Sequence, residues 1–174
     1  MKNWEPIELL RHVRHEWLNK LQLIQSYLSV GNEKRALEII DETIFECKQE
    51  ANLSNLPFRK LSTFLLTYPF QTYPILLKYE VNGDGTADGT LDEKLFSWFQ
   101  QFLKNMNEVV SIGEENELYI MMEVMNKQIR IFIHFTGLIR DSKRIEFFLK
   151  QTEDFFTIEN VQFNHETLQF SLVV

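Results

Sequence analysis

The chain opens with two long helical stretches separated by one tight turn, and that pairing limits how the remainder can fold. The first, residues 5–30, carries Pro6 near its start, where a missing backbone N–H costs nothing. Gly31-Asn32 then supplies a stop and a turn. The second stretch, residues 33–53, repeats apolar residues at Leu37, Ile40, Ile44, Cys47 and Ala51, in helical steps of three or four. Helices joined by so short a turn lie antiparallel. A lone pair of helices buries only one seam each and needs another layer to complete a core. A second copy of the hairpin supplies it, as a four-helix bundle about a two-fold axis, and this homodimer is the expected arrangement. The alternative is a hairpin packed on the chain's own C-terminal half.

Beyond Leu56-Pro57 the texture changes. A short helix over residues 58–68 leads through Pro69 and Pro74 to a strand-like run, 75–81. Residues 82–89 are rich in turn formers, and a long amphipathic helix over 91–110 follows. Strands are expected at 118–124 and 129–135, joined through Asn126-Lys127. A helix over 142–151 precedes two last strands, 156–163 and 167–173. The predicted fold class is α+β: an antiparallel helical hairpin over residues 1–55, then an α/β sandwich domain over 56–174 in the order β-α-β-β-α-β-β.

Composition narrows the function classes. Of the 174 residues 44% are hydrophobic and 15 are Phe, ample for a packed core. The formal charge is −7 with no basic run, which argues against a nucleic-acid partner. Apolar runs such as Ile75-Leu76-Leu77 fall far short of the roughly 20 residues that span a bilayer. The first six residues show no leader pattern, and the single cysteine, Cys47, allows neither a disulfide framework nor a cysteine metal cluster. A cytoplasmic protein without a membrane partner is expected.

The most informative stretch is Arg14-His15-Glu16-Trp17-Leu18-Asn19-Lys20-Leu21-Gln22-Leu23-Ile24. At about 100° per residue, with His15 set to zero, Leu10, Val13, Trp17, Leu21, Ile24 and Leu28 fall at roughly 160° to 240° and form the predicted seam. Glu8, Arg11, His12, Asn19, Gln22 and Ser26 lie within about 60° of His15. His15 therefore points to water on a polar stripe, with Leu18 at its border as a candidate docking contact. Near neutral pH an exposed imidazole is largely uncharged, and its free nitrogen lone pair can attack phosphorus. Phosphoryl transfer asks chiefly for in-line positioning and charge neutralisation. Glu16 is a candidate to orient the imidazole, and Arg11 or Arg14 to offset the charge of a phosphorylated ring. A surface histidine with no function is the competing interpretation. A metal site is not expected, since His12 and His15 lack two further ligands with reason to converge.

The run from Arg14 to Asn19, followed by Lys20-Leu21-Gln22-Leu23-Ile24, resembles the phosphoacceptor helix of the sporulation phosphotransferase B family. It is also similar to that of citrate-type sensor kinases. The likeness continues through Leu53-Ser54-Asn55-Leu56 and weakens beyond Tyr79-Glu80-Val81. By that resemblance His15 is the phosphorylated residue, and the hairpin forms a homodimer. The α/β domain is then a degenerate histidine-kinase ATPase fold. The implied partners are a phosphodonor single-domain response regulator and a phosphoacceptor DNA-binding one, with Mg²⁺ supplied by the regulator and no cofactor of the chain's own.

The chain departs from the kinases of that fold. Their Asn-x-x-x-Asn box is missing, since neither Asn105 nor Asn107 has an asparagine four residues away. Where an Asp-x-Gly-x-Gly loop belongs, the chain reads His134-Phe135-Thr136-Gly137, and no glycine-rich lid follows. The loop from Gly83 to Gly89 holds two aspartates and no lysine, so a turn is expected there rather than a phosphate cradle. Two alternatives to the phosphotransferase stay open at this point: an ATP-dependent histidine autokinase, and a regulator-binding interaction protein without chemistry.

Overall fold

The computed structural model describes residues 5–83, 86–125 and 128–174, so the expected Asn126-Lys127 turn and the Asp84-Gly85 part of the loop lie outside the described residues. The chain divides into two compact units, Met1–Lys48 and Gln49–Val174.

The first unit is a helical hairpin. Helix α1 (Pro6–Ser29) starts on its proline and ends at Gly31, which adopts the left-handed φ of 73°. The Asn32 N–H returns to the Tyr27 carbonyl at 2.9 Å, and the Asn32 side chain accepts the Arg35 N–H at 3.2 Å. Asn32 thus opens helix α2 (Glu33–Asn55) as its cap. The tight turn leaves the two helices antiparallel, and Lys20 of α1 is ion-paired with Glu46 of α2 across them.

The seam inside this hairpin differs from the expected one. Lys20, Ile24 and Tyr27 are half-buried, and they lie at roughly 120° to 180° from His15. Leu10, Trp17, Leu21 and Leu28, at roughly 200° to 240°, stay exposed. On the part of α2 within this unit the buried residues are Ala36 and Ile39, while Leu37 and Ile44 are exposed; Gln49 and Leu53, further along α2, are buried in the second unit. Periodicity finds apolar stripes but does not say which flank of a broad stripe meets the neighbouring helix.

The second unit is an α/β sandwich. After helix α3 (Arg59–Thr67) come strand β1 (Leu76–Gly83), helix α4 (Asp92–Val109), the antiparallel pair β2 (Glu117–Met125) and β3 (Gln128–Thr136), helix α5 (Ser142–Thr152), then β4 (Thr157–Phe163) and β5 (Thr167–Val173). Strand β1 runs through Asn82-Gly83, which pair with Glu123 and Val124; these two positions had been expected in the loop. A Cβ at Gly83 would lie 1.9 Å from the Val124 carbonyl oxygen, so only glycine lets β1 end there. The sheet order is β1-β2-β3-β5-β4, with β1 parallel to β2 and the other pairs antiparallel. A parallel pair needs a crossover, and α4 provides it.

Alternation decides which face of the sheet is covered. Leu118, Ile120, Met122 and Val124 of β2, and Ile129, Ile131, Ile133 and Phe135 of β3, are buried, while the residues between them are half-buried or exposed. The buried face shares one core with α3, α4 and α5. Trp98 of α4 stacks on Phe102 at 5.0 Å between centroids and donates its indole N–H to Thr152 of α5 at 2.9 Å.

Both sheet edges are blunted. At β4, Asn160 takes a φ of 56° within a register shift between Glu159 and Gln162. At β1, the last turns of α2 intervene: the Gln49 side chain accepts the Val81 N–H at 2.8 Å, and Asn52 donates to the Val81 carbonyl at 3.1 Å.

Candidate functional site

Helix α1 has no buried residue, and its polar stripe is fully presented. His15 is exposed and forms no hydrogen bond or ion pair among the described residues. Arg11, Arg14, Glu16, Leu18, Asn19 and Gln22 are exposed with it. The rigid carrier of the imidazole is the helix itself, from its Pro6 start to its Gly31 stop.

The structure sorts the supporting residues expected around His15. Glu16 lies about 100° around the helix from His15, and its charge is among the causes that raise the Lys20 pKa. Arg11 and Arg14 are engaged in no ion pair among the described residues, which leaves both guanidiniums available to an anion. Asn19 and Gln22 continue the stripe one and two turns on, and Leu18 is a half-exposed apolar contact at its border.

One contributor was missed by sequence reasoning. Lys20 ties α1 to α2 through Glu46; desolvation lowers its pKa, but the hydrogen bond and charge of Glu46, with Cys47 and Glu16 nearby, leave a net rise. Its position near 140° on the helical wheel, inside the apolar arc, was the available signal.

In the second unit, the asparagines on α4 are occupied by neighbouring elements. Asn105 accepts from the Arg144 guanidinium at 2.7 Å, and Arg144 is also ion-paired with Glu108. Asn107 accepts the Tyr68 hydroxyl at 3.0 Å, and burial raises the pKa of that phenol. At the end of β3, a Cβ on Gly137 would meet Asn116 Oδ1 at 2.4 Å and the Phe135 ring at 2.7 Å. Asn116 fills this corner: its amide donates to the carbonyls of Ser111 at 2.8 Å, Glu114 at 3.2 Å and Pro74 at 3.3 Å, and its Oδ1 accepts the Leu138 N–H at 3.2 Å. In the loop before α4, the Asp88 carboxylate accepts both the N–H and the hydroxyl of Thr90, forming a local turn.

Residues 1–56 match the family model described as the sensor kinase SpoOB-type alpha-helical domain, and residues 57–174 match that of the sporulation initiation phosphotransferase B C-terminal domain. The sporulation initiation phosphotransferase B of Bacillus subtilis (strain 168) is 34% identical over 139 residues, 79% of this chain and 72% of the relative. Among solved structures, the Acinetobacter baumannii histidine kinase AdeS aligns with a TM-score of 0.47 at 10% identity, over 92% of this chain and 96% of that one. A structure titled as a bacterial phosphotransferase aligns with a TM-score of 0.42 at 12% identity, over 98% of each chain. With family models matching both segments and a relative above 30% identity, the chain belongs to the sporulation initiation phosphotransferase B family.

Proposed function

We propose that the chain is a phosphorelay phosphotransferase of sporulation initiation with His15 as its nucleophile. It moves a phosphoryl group from the aspartyl phosphate of one response regulator to the aspartate of a second. The observation that carries this reading is the imidazole of His15, exposed and unbonded on a polar helical stripe, in a chain of this family.

In the first step an imidazole nitrogen attacks phosphorus in line. The P–N bond forms as the bond to the donor's carboxylate oxygen breaks, and the donor aspartate leaves as a carboxylate. The second step runs the same geometry in reverse onto the acceptor's aspartate. Mg²⁺ and the surrounding carboxylates come from the regulator, so this chain holds no cofactor of its own. Arg11 and Arg14 offset charge on the phosphohistidine, while Leu18, Asn19 and Gln22 meet the regulator's surface.

The division of labour is a phosphoacceptor and dimerising hairpin over residues 1–55, and an α/β domain over 56–174. The outward apolar stripes of the hairpin, Trp17, Leu21 and Leu28 with Leu37 and Ile44, support a homodimer built as a four-helix bundle. The engagement of Asn105 by Arg144 and of Asn107 by Tyr68 supports phosphate arriving from a regulator rather than from ATP. The donor is a single-domain regulator and the acceptor a DNA-binding one, encountered in the cytoplasm; the chain itself touches neither nucleic acid nor membrane. No helix among the described residues is long and apolar enough to cross a membrane.

The test is transfer without ATP. The protein and its His15→Gln variant are each mixed with a labelled, aspartate-phosphorylated single-domain regulator and Mg²⁺. Acid-labile, base-stable label on the wild type alone is the expected result. Regulator binding without label would leave an interaction protein, and labelling of His15 from ATP alone would make the chain an autokinase; either result overturns the reading.

A further inference from the structure

Strand β1 ends on Asn82-Gly83, the one Asn-Gly pair in the sequence, and both residues are exposed. Gly83 takes a φ of 121° and lies so close to the Val124 carbonyl that no side chain fits there. The same lack of a side chain leaves nothing to shield its backbone nitrogen.

The hydrogen bonds of the strand leave that nitrogen free. The Leu76 N–H donates toward β2, to the Asn116 carbonyl at 2.8 Å, so alternation turns the N–H and C=O of Leu76, Lys78, Glu80 and Asn82 to β2. The backbone groups of Val81 and Gly83 face the other way. At Val81 they are held by Gln49 and Asn52. Two residues on, the Gly83 N–H has no hydrogen-bond partner among the described residues. The peptide plane joining Asn82 to Gly83 is therefore restrained through the Asn82 carbonyl alone, at the last rung of the ladder, and strand ends open most readily. The Asn82 side chain lies on the open face of the sheet, where its Nδ2 donates to Glu80 at 2.9 Å, and Glu123 stands opposite it on β2.

We propose that Asn82 is a site of spontaneous deamidation, and that its product loosens the end of β1. When the last rung opens, the Gly83 nitrogen attacks the Asn82 Cγ and a new C–N bond forms. The bond from Cγ to Nδ2 breaks, and Nδ2 leaves as ammonia with the proton that Gly83 gives up. Water then opens the cyclic imide at either carbonyl, leaving aspartate or isoaspartate.

Either product opposes the sheet. The new carboxylate stands beside Glu80 and across from Glu123, where like charges destabilise neighbouring strands, and Glu80 loses a donor. Isoaspartate also adds a methylene to the main chain just where Gly83 pairs with Val124. None of the residues assigned to phosphotransfer takes part, so this modification stands apart from that reading.

The experiment ages the full-length protein and its Asn82→Gln variant at physiological temperature and mildly alkaline pH. Peptide mapping by mass spectrometry then locates each amide that has become an acid. Conversion in the folded wild type is expected first at Asn82, and it should be lost in Asn82→Gln, whose longer side chain closes a larger and slower-forming ring. The acidic form, separated by anion exchange, is expected to unfold at a lower urea concentration than the unmodified protein. No conversion at Asn82, earlier conversion at another asparagine, an equal yield of acidic form from Asn82→Gln, or an acidic form with an unchanged midpoint would each overturn the proposal.

Discussion

Asp92, the first residue of α4, accepts the backbone N–H of Leu61 at 3.0 Å, and its second oxygen takes the neighbouring Lys60 N–H at 2.9 Å. Helix α3 lacks a side-chain cap of its own, because Phe58 stands at the capping position. The carboxylate that satisfies its first turn therefore comes from 31 residues away.

Replacing Asp92 with Ala leaves two N–H groups at the start of α3 without that acceptor, and it removes a negative charge from the positive end of the helix dipole. A loss of about 1–2 kcal/mol in urea unfolding is expected, with Asp92→Asn recovering part of it. Equal stability of wild type and Asp92→Ala would show that the bond contributes nothing.

Asn116 joins the turn before β2 to the chain entering β1 and to the segment after β3. Its replacement by Ala unpairs the buried Ser111 carbonyl, the part-buried carbonyls of Glu114 and Pro74 and the Leu138 N–H, and a loss of about 2–4 kcal/mol follows. Gly137→Ala acts on the same corner, because its new Cβ would fall on Asn116 Oδ1. The two losses should fall short of additive in a double-mutant cycle, since both disturb one contact.

The outward stripe of α1 makes a dimer prediction. Leu21, at 56% exposure in the single chain, occupies the centre of that stripe. Leu21→Glu places a charge where the second hairpin of the proposed dimer packs, and a rise of at least about a hundredfold in the dimer dissociation constant is expected by analytical ultracentrifugation. An unchanged dimer would move the interface elsewhere, and a wild-type monomer would remove it.

The open face of the sheet carries a pH-dependent pair. Glu80 accepts from the Tyr119 hydroxyl and from Asn82 at 2.9 Å, and these bonds hold its carboxyl below the usual range. Its contribution is present above the ordinary carboxyl value and disappears as the pH falls through the depressed one. Burial, then the bond to Glu80, pushes the Tyr119 phenol up to about 12. That contribution is complete below the ordinary phenol value of about 10 and disappears as the pH rises from there through the folded value. Tyr119→Phe should therefore cost stability between the two ranges and progressively less beyond either. Denaturant midpoints measured from pH 3 to 11 decide it, and a constant offset across the scan would rule the coupling out.

Much of the site was legible in sequence because it depends on local geometry. A helix of fixed pitch places His15, Asn19 and Gln22 on one stripe whatever else the chain does, and Gly31-Asn32 can end one helix and cap the next without outside help.

The sequence by itself determined the hairpin, the order of strands and helices, and the exposure of His15, because each follows from periods of two or 3.6 residues and from short-range turn chemistry. Tertiary structure alone decided which flank of the apolar stripe closes the hairpin, and that β5 inserts between β3 and β4. It also decided that Asp92 caps a helix other than its own, and that Gln49 and Asn52 seal the edge of β1 at Val81. These outcomes pair groups far apart in the chain, and no local pattern encodes which distant donor will find which acceptor once the core has closed.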